Sequence, residues 1–229
     1  MERHTEKTEL RFRGKKQRRV YVLTEIALMS AVFCVLAPIS MPVPFSPVPV
    51  TFGTFVLYLT AVLLGRRKGT MSVVIYLFIG LAGLPVFSGF TAGFTKLLGP
   101  GGGYMIGYLP AVFLMGWLTE RRTAERSGLQ EENAQTKNTQ AENRRGFLVR
   151  ESVAMAGSFA CGAFVCYAFG TVWFLFLMNG TYTLSQALLV CVIPFLPFEV
   201  IKIILASIAA LPAKQKLRRA GIFQAEEYL

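Results

Sequence analysis

Long apolar runs, separated by basic segments or by stretches of glycine and proline, leave this chain little choice of environment. Six of them stand out: Val20–Ile39, Val50–Gly65, Gly69–Val86, Gly102–Thr119, Ser152–Met178 and Pro197–Ala213. Each approaches the roughly 20 residues that cross a hydrocarbon layer, the second and sixth being short. With 53% hydrophobic and 16% charged residues in 229, the pattern predicts an all-α integral membrane protein of six transmembrane helices. A large soluble domain is excluded.

The net charge of +11 would suit nucleic acid if it were spread over a soluble surface. Its distribution says otherwise. Twenty-two of the 24 Lys and Arg fall in residues 1–19, 66–68, 120–150 and 213–229. Six spans bring these four regions to one side, so the positive-inside rule puts both termini and the second and fourth loops in the cytoplasm of a prokaryotic-type cell membrane. The expected organisation is a basic arm over 1–19, a membrane domain over 20–213 with a polar loop at 120–150, and a basic tail over 214–229. The arm touches anionic headgroups on this view.

The acids obey the same division. There is no Asp, and away from the basic segments only Glu25 and Glu199 occur. Glu25 lies near the cytoplasmic start of the first span and reads as a snorkelling side chain. Lys96, Glu199 and Lys202 remain unexplained by topology. Glu199 and Lys202 stand at i and i+3 in Pro197-Phe-Glu-Val-Ile-Lys202, so on a helix they project from one face, about 4.5 Å apart along its axis. Pro197 suits the first turn of that helix, and the helix dipole favours the acid there.

Two readings of this pair follow from its chemistry. An intramembrane salt bridge can pin two helices, and an acid and a base in lipid can also mark a polar cavity. In the second case Glu199 would accept from an amide or urea, Lys202 or Lys96 would meet a carboxylate, and Phe52, Tyr76, Phe87, Tyr104 and Tyr108 would supply an apolar wall. Between the first two spans, Met41-Pro-Val-Pro-Phe-Ser-Pro-Val-Pro-Val50 cannot be helical, and serves either as a rigid external connector or as a lid over the pocket. The glycine-rich external stretch from Gly80 to Tyr104 permits close backbone approach but lacks the Gly-Lys-Ser/Thr ending of a phosphate loop. Gly65-Arg-Arg-Lys-Gly69 reads as a tight turn, and Leu184–Cys191 as a short helix before Pro194.

Catalysis lacks its parts. His4 is the one histidine and lies in the basic arm, and the interior offers no second carboxylate to pair with Glu199. Cys34, Cys161, Cys166 and Cys191 have no metal spacing and read as small buried apolar residues. No metal or cofactor is expected. In the first span Ala27 and Ala31 form a small-x-x-x-small pair that lets a helix approach closely.

Taken together, Pro47-Val-Pro-Val-Thr51, Leu63-Leu-Gly65, Tyr76, Gly80-Leu-Ala-Gly-Leu-Pro-Val-Phe87, Leu98-Gly-Pro-Gly-Gly-Gly-Tyr104 and Pro194-Phe-Leu-Pro-Phe-Glu-Val-Ile-Lys202 resemble the BioY family. These are the substrate-binding subunits of energy-coupling-factor biotin transporters. The resemblance implies a six-helix subunit that captures biotin from outside, is not itself an enzyme, and works with a transmembrane coupling subunit and two ATPase subunits. It also implies that Glu199 and Lys202 are ligand residues, that the Pro42–Val50 loop is a cover, and that Ala27 and Ala31 dock the coupling subunit. Two positions depart from the family pattern: Gly101 stands where a threonine is usual, and Glu199 where an aspartate is. A stand-alone secondary carrier, or a subunit for another small vitamin, fits the same apolar pocket with few charges.

Overall fold

The computed structural model describes residues 2–44, 46–133 and 143–219, with side chains described for 19–44, 46–123, 151–210 and 212–213. It is predominantly helical. In chain order come α1 (Glu2–Leu36), β1 (Ser40–Met41), β2 (Val50–Thr51), α2 (Gly53–Leu81), α3 (Phe94–Leu97), α4 (Gly102–Asn133), α5 (Asn143–Met178), α6 (Leu184–Cys191), a single 3-10 turn (Ile193–Phe195) and α7 (Leu196–Arg219).

Which side of each helix carries charge identifies the solvent the fold is built for. On α7, Glu199, Lys202, Ala206 and Ala210 are buried while Val200, Ile201, Ile204, Leu205 and Ile208 are exposed. Polar groups inside and aliphatic ones outside invert the pattern of a water-soluble helix. On α5 the same holds, with Phe164, Val172 and Phe176 outward and Ser158 and Thr171 inward. Three described segments, Arg19–Leu36, Glu151–Met178 and Leu184–Ala210, are long and apolar enough to cross a membrane.

The second and third predicted spans form one continuous element broken at Gly65, which alone leaves helical geometry at φ 71°, ψ −169°. Only glycine adopts that conformation without cost. The break folds the chain back: Gly69 lies within van der Waals contact of Thr60, nine positions away, whereas a straight helix would hold them about 13 Å apart. The predicted turn is therefore tighter than its two glycines suggest, since residues 66–68 are already helical. At its other end α2 stops at Leu81 rather than at Val86. Gly83 turns left-handed at φ 104°, and the Gly83 and Leu84 amides close on the Gly80 and Ile79 carbonyls, ending the helix before Pro85.

Helix packing here relies on small residues, because lipid gives apolar side chains no reason to hide. Between α4 and α5, Gly103 lies against Trp173, Gly107 against Cys166, Tyr104 against Gly170 and Met115 against Gly162. Positions rise in one helix as they fall in the other, so the pair is antiparallel. Farther along, the Arg122 guanidinium donates to the Ala154 carbonyl and to Ser158 Oγ at 3.0 Å. Gly116 meets the Arg66 backbone, and the Arg66 amide donates to Glu120 at 2.7 Å, which ties the Gly65 break to α4.

Two sequence expectations change. Glu25 does not snorkel: it is 7% exposed and pairs with Lys68 at 2.9 Å, one turn from Ser30, which bonds Ser72. The pair forms because the Gly65 break returns Lys68 to α1. Cys161 is exposed on the outer side of α5, whereas Cys166 and Cys191 are buried as expected. The polar loop of 120–150 continues α4 as helix to Asn133, and residues 134–142 lie outside the described residues, as do 220–229 of the basic tail. The basic arm continues α1 without a break from Glu2.

A β-carbon at Gly116 would come 2.5 Å from the Arg66 nitrogen, whereas one at Gly157 meets nothing nearer than 4.0 Å. Gly116→Ala is expected to destabilise by about 1–3 kcal/mol through overpacking. Gly157→Ala should be neutral or stabilising, because alanine is the better helix former. Thermal unfolding of the two variants in one detergent checks this; equal transitions would show that α4 and the Gly65 break do not touch.

Candidate functional site

The cavity lies where α7 meets α2, α4 and α5. Its wall takes Val48 to Thr51 from the proline loop, Thr54 and Tyr76 from α2, Tyr104, Met105 and Tyr108 from α4, Ala163, Cys166 and Tyr167 from α5, and Glu199 and Lys202 from α7. Ala37, Ser88, Gly101 and Phe195 complete it. Its open space, mouth included, is about 700 Å³.

Its polar centre is built around one carboxylate. Tyr58 donates to Glu199 Oε1 in a very short hydrogen bond, and Tyr167 donates to Oε2 at 3.0 Å. Lys202 reaches the same Oε2 at 3.3 Å and donates to Thr54 Oγ1 at 2.9 Å. Glu199 is 4% and Lys202 8% exposed. Such burial would be prohibitive for either charge alone, and is sustained by the ion pair together with its added hydrogen bonds. Both sequence readings of the pair therefore describe the same atoms: it joins α7 to α2 and α5, and it faces a cavity.

The lone-pair count defines what remains. A carboxylate oxygen accepts about two hydrogen bonds. Among the described residues, Oε2 takes Tyr167 and Lys202, while Oε1 takes Tyr58. One acceptor site on Oε1 is left, and the Lys202 ammonium keeps one of its three donors.

Aromatic packing fixes the surrounding wall. Tyr76 stacks on Phe33 at 5.1 Å and meets Phe87 edge-on at 5.7 Å. Tyr104 stands edge-on to Tyr167 at 5.9 Å and donates to the Cys191 carbonyl at 2.9 Å. Tyr108 OH lies 3.4 Å from Thr51 Oγ1, so the proline loop is anchored at its far end. Ser40 pairs with Thr51 and Met41 with Val50, a clasp that joins the two ends of the proline loop. Val48 is buried against Phe174, Ala187, Cys191 and Phe195.

Of the residues expected at the site, Glu199, Lys202, Tyr76, Tyr104 and Tyr108 line the cavity. Three do not. Phe87 lies behind Tyr76, fully buried with its ring where a Gly80 side chain would be. Phe52 is 47% exposed and packs edge-on to Phe55, because the helix begins at the next residue and turns it outward. Lys96 sits on the short helix α3, half-buried and outside the wall. Tyr58, Tyr167 and Thr54 were not foreseen; a tyrosine inside an apolar run needs a partner for its hydroxyl, and that was the available signal.

On the outer side of α1, Ala27 and Ala31 are exposed between Leu23 and Val35, which are 65% and 67% exposed. Their neighbours Ile26, Met29, Ser30 and Phe33 face the core.

Comparison with known proteins gives a consistent set. The family model described as BioY family matches residues 7–219. A putative biotin transporter BioYB of Bacillus subtilis is 37% identical over 111 residues, covering 46% of this chain and 56% of that protein. The biotin transporter BioY of Thermotoga maritima is 39% identical over 100 residues, covering 44% and 58%. These matches thus span a little over half the length of the curated relatives. A crystal structure of the S-component for biotin from an ECF-type ABC transporter shares the fold with a TM-score of 0.68 at 26% identity, over 87% of this chain and 93% of that one.

Tyr58→Phe removes a fully buried donor from Glu199 Oε1, with an expected loss of about 1–3 kcal/mol. Tyr167→Phe should cost less, since Lys202 still serves Oε2. Thermal unfolding in detergent ranks the two, and a Tyr58→Phe protein as stable as wild type would contradict the arrangement.

Proposed function

The chain belongs to the BioY family, and from that premise we propose that it is the biotin-binding subunit of an energy-coupling-factor transporter, capturing biotin from outside the cell for uptake driven by partner ATPase subunits. The observation that carries this is the Glu199–Lys202 pair itself, a carboxylate and an ammonium 3.3 Å apart on the wall of an otherwise largely apolar cavity. A cyclic urea presents an N–H beside a carbonyl, the complementary arrangement. Glu199 Oε1 accepts the ureido N–H and Lys202 donates to the ureido oxygen, while Tyr76 and Tyr104 provide aromatic wall for the fused rings. Biotin is cargo, and the chain needs no cofactor and performs no catalysis.

The finer topology follows the same proposal. Crossings by α1, the two parts of α2, α4, α5 and α7 make six, with both termini in the cytoplasm of the cell membrane. The basic arm over 1–19 and tail over 214–229 flank a membrane domain over 20–213, and the proline loop is an external cover. Ala27 and Ala31, exposed on α1, form the seat of the transmembrane coupling subunit, to which two ATPase subunits attach. Neither Lys96 nor Phe52 nor Phe87 contacts the ligand directly.

Titration calorimetry of the purified full chain tests the site. Wild type is expected to bind biotin, and Glu199→Ala and Lys202→Ala each to weaken binding at least about tenfold, roughly 1.4 kcal/mol. No binding by wild type, or unchanged binding in both variants, would refute the assignment. Uptake by cells with and without the ATPase subunits separates this role from a carrier that works alone.

A further inference from the structure

The charge carried by the cavity wall limits what it can demand of a ligand's far end. Among the described residues lining it, Lys202 is the one base and Glu199 the one acid, and they are joined to each other at 3.3 Å. The wall is therefore neutral overall. Its other polar side chains are hydroxyls and phenols, such as Thr51, Ser88 and Tyr108. Neutral groups of this kind bond an amide as readily as a carboxylate, whereas a desolvated carboxylate gains full compensation only from a cation or several strong donors. Lys96, the cation expected to serve a carboxylate, is outside the wall.

The cavity also has a direction. Tyr104, Met105 and Tyr108 of α4 line it, with Gly101 just before the helix, and the six residue steps from Gly102 to Tyr108 rise about 9 Å. Tyr108 marks the end near the acid–base pair, since its hydroxyl meets Thr51 and abuts Gly53, next to the Thr54 that holds Lys202. Gly101, seven positions earlier, lines the same cavity. A β-carbon there would meet nothing within 4 Å, and its backbone is outside the left-handed region that requires glycine. Position 101 sits in the turn that the Gly102 amide closes on the Gly99 carbonyl, but that turn does not require glycine there, and its missing side chain leaves open space.

Resting on the biotin assignment above, we infer that the cavity does not require the free carboxylate: biotin whose side chain ends in a neutral amide, including biotin joined to the side-chain nitrogen of lysine, is a ligand alongside the free acid. The ureido rings take the Glu199–Lys202 end. The side chain runs along α4, and Gly101 gives the amide substituent its room.

Competition against labelled biotin on the full chain in nanodiscs tests this with biotin, its N-methylamide and biotinyl-lysine. Both amides are expected to compete within about thirtyfold of biotin, or roughly 2 kcal/mol; weaker competition by both while biotin itself binds overturns this inference and leaves the biotin assignment standing. Failure of biotin to bind overturns both. Gly101→Lys adds the missing cation, and is expected to raise the preference for free biotin over its methylamide at least about tenfold. An unchanged preference would show that the side chain does not reach position 101, and so would also overturn the inference.

Discussion

The carboxylate of Glu199 projects from a helix whose other faces carry valine, isoleucine and leucine into the surroundings, so its charge has no water to fall back on. Three donors from three elements hold it: Tyr58 of α2, Tyr167 of α5 and Lys202 of α7 itself. Tyr58 and Tyr167 each fix their own helix relative to α7, and Lys202 adds a tie to α2 through Thr54. The costs of burial, paired charge and helix position are thus coupled, and loss of one partner leaves the others stranded in a medium of low dielectric.

The rest of the architecture can be seen as what brings those donors within reach. Gly65 reverses α2, which returns Tyr76 to a cavity that Thr54 enters from the other end. Glycines on α4 and α5 let those helices approach closely enough for Tyr104 and Tyr167 to meet edge-on. The proline loop is clasped at its base by β1 and β2 and by Thr51 against Tyr108. A second buried pair, Glu25 with Lys68, performs the same locking at the opposite end of the doubled α2. The two ion pairs differ in what faces them: of the two, Glu199–Lys202 lines the large cavity.

Legibility from sequence depended on whether a residue's role was local. Charge segregation and apolar runs are properties of the chain alone, and they exposed Glu199 and Lys202 because nothing in topology explained them. The Gly65 break and the helix over Leu184–Cys191 were equally local, fixed by backbone freedom and by a Thr183–Gln186 capping box. A loop cation looks available wherever the loop goes, so sequence could not show that α3 carries Lys96 off the cavity wall. Phe87 and Phe52 lie off the wall for a related reason, since aromatic character does not say which side of a wall a ring occupies. Tyr58 and Tyr167 went unnoticed among apolar neighbours that resemble ordinary core.

What the sequence determined by itself was the solvent and the suspects: a helical chain for lipid, with an acid and a base at one helical turn that lipid would not tolerate unpaired. The family motifs added a substrate class. Tertiary structure alone decided that Glu25 and Lys68 are partners, that Glu199 accepts from Tyr58 and Tyr167, and that the described residues of the cavity wall are neutral together, with space at Gly101. The reason is physical. Apolar periodicity and charge placement act along the chain, whereas hydrogen-bond saturation and cavity shape depend on which helices meet, 141 residues apart for Tyr58 and Glu199.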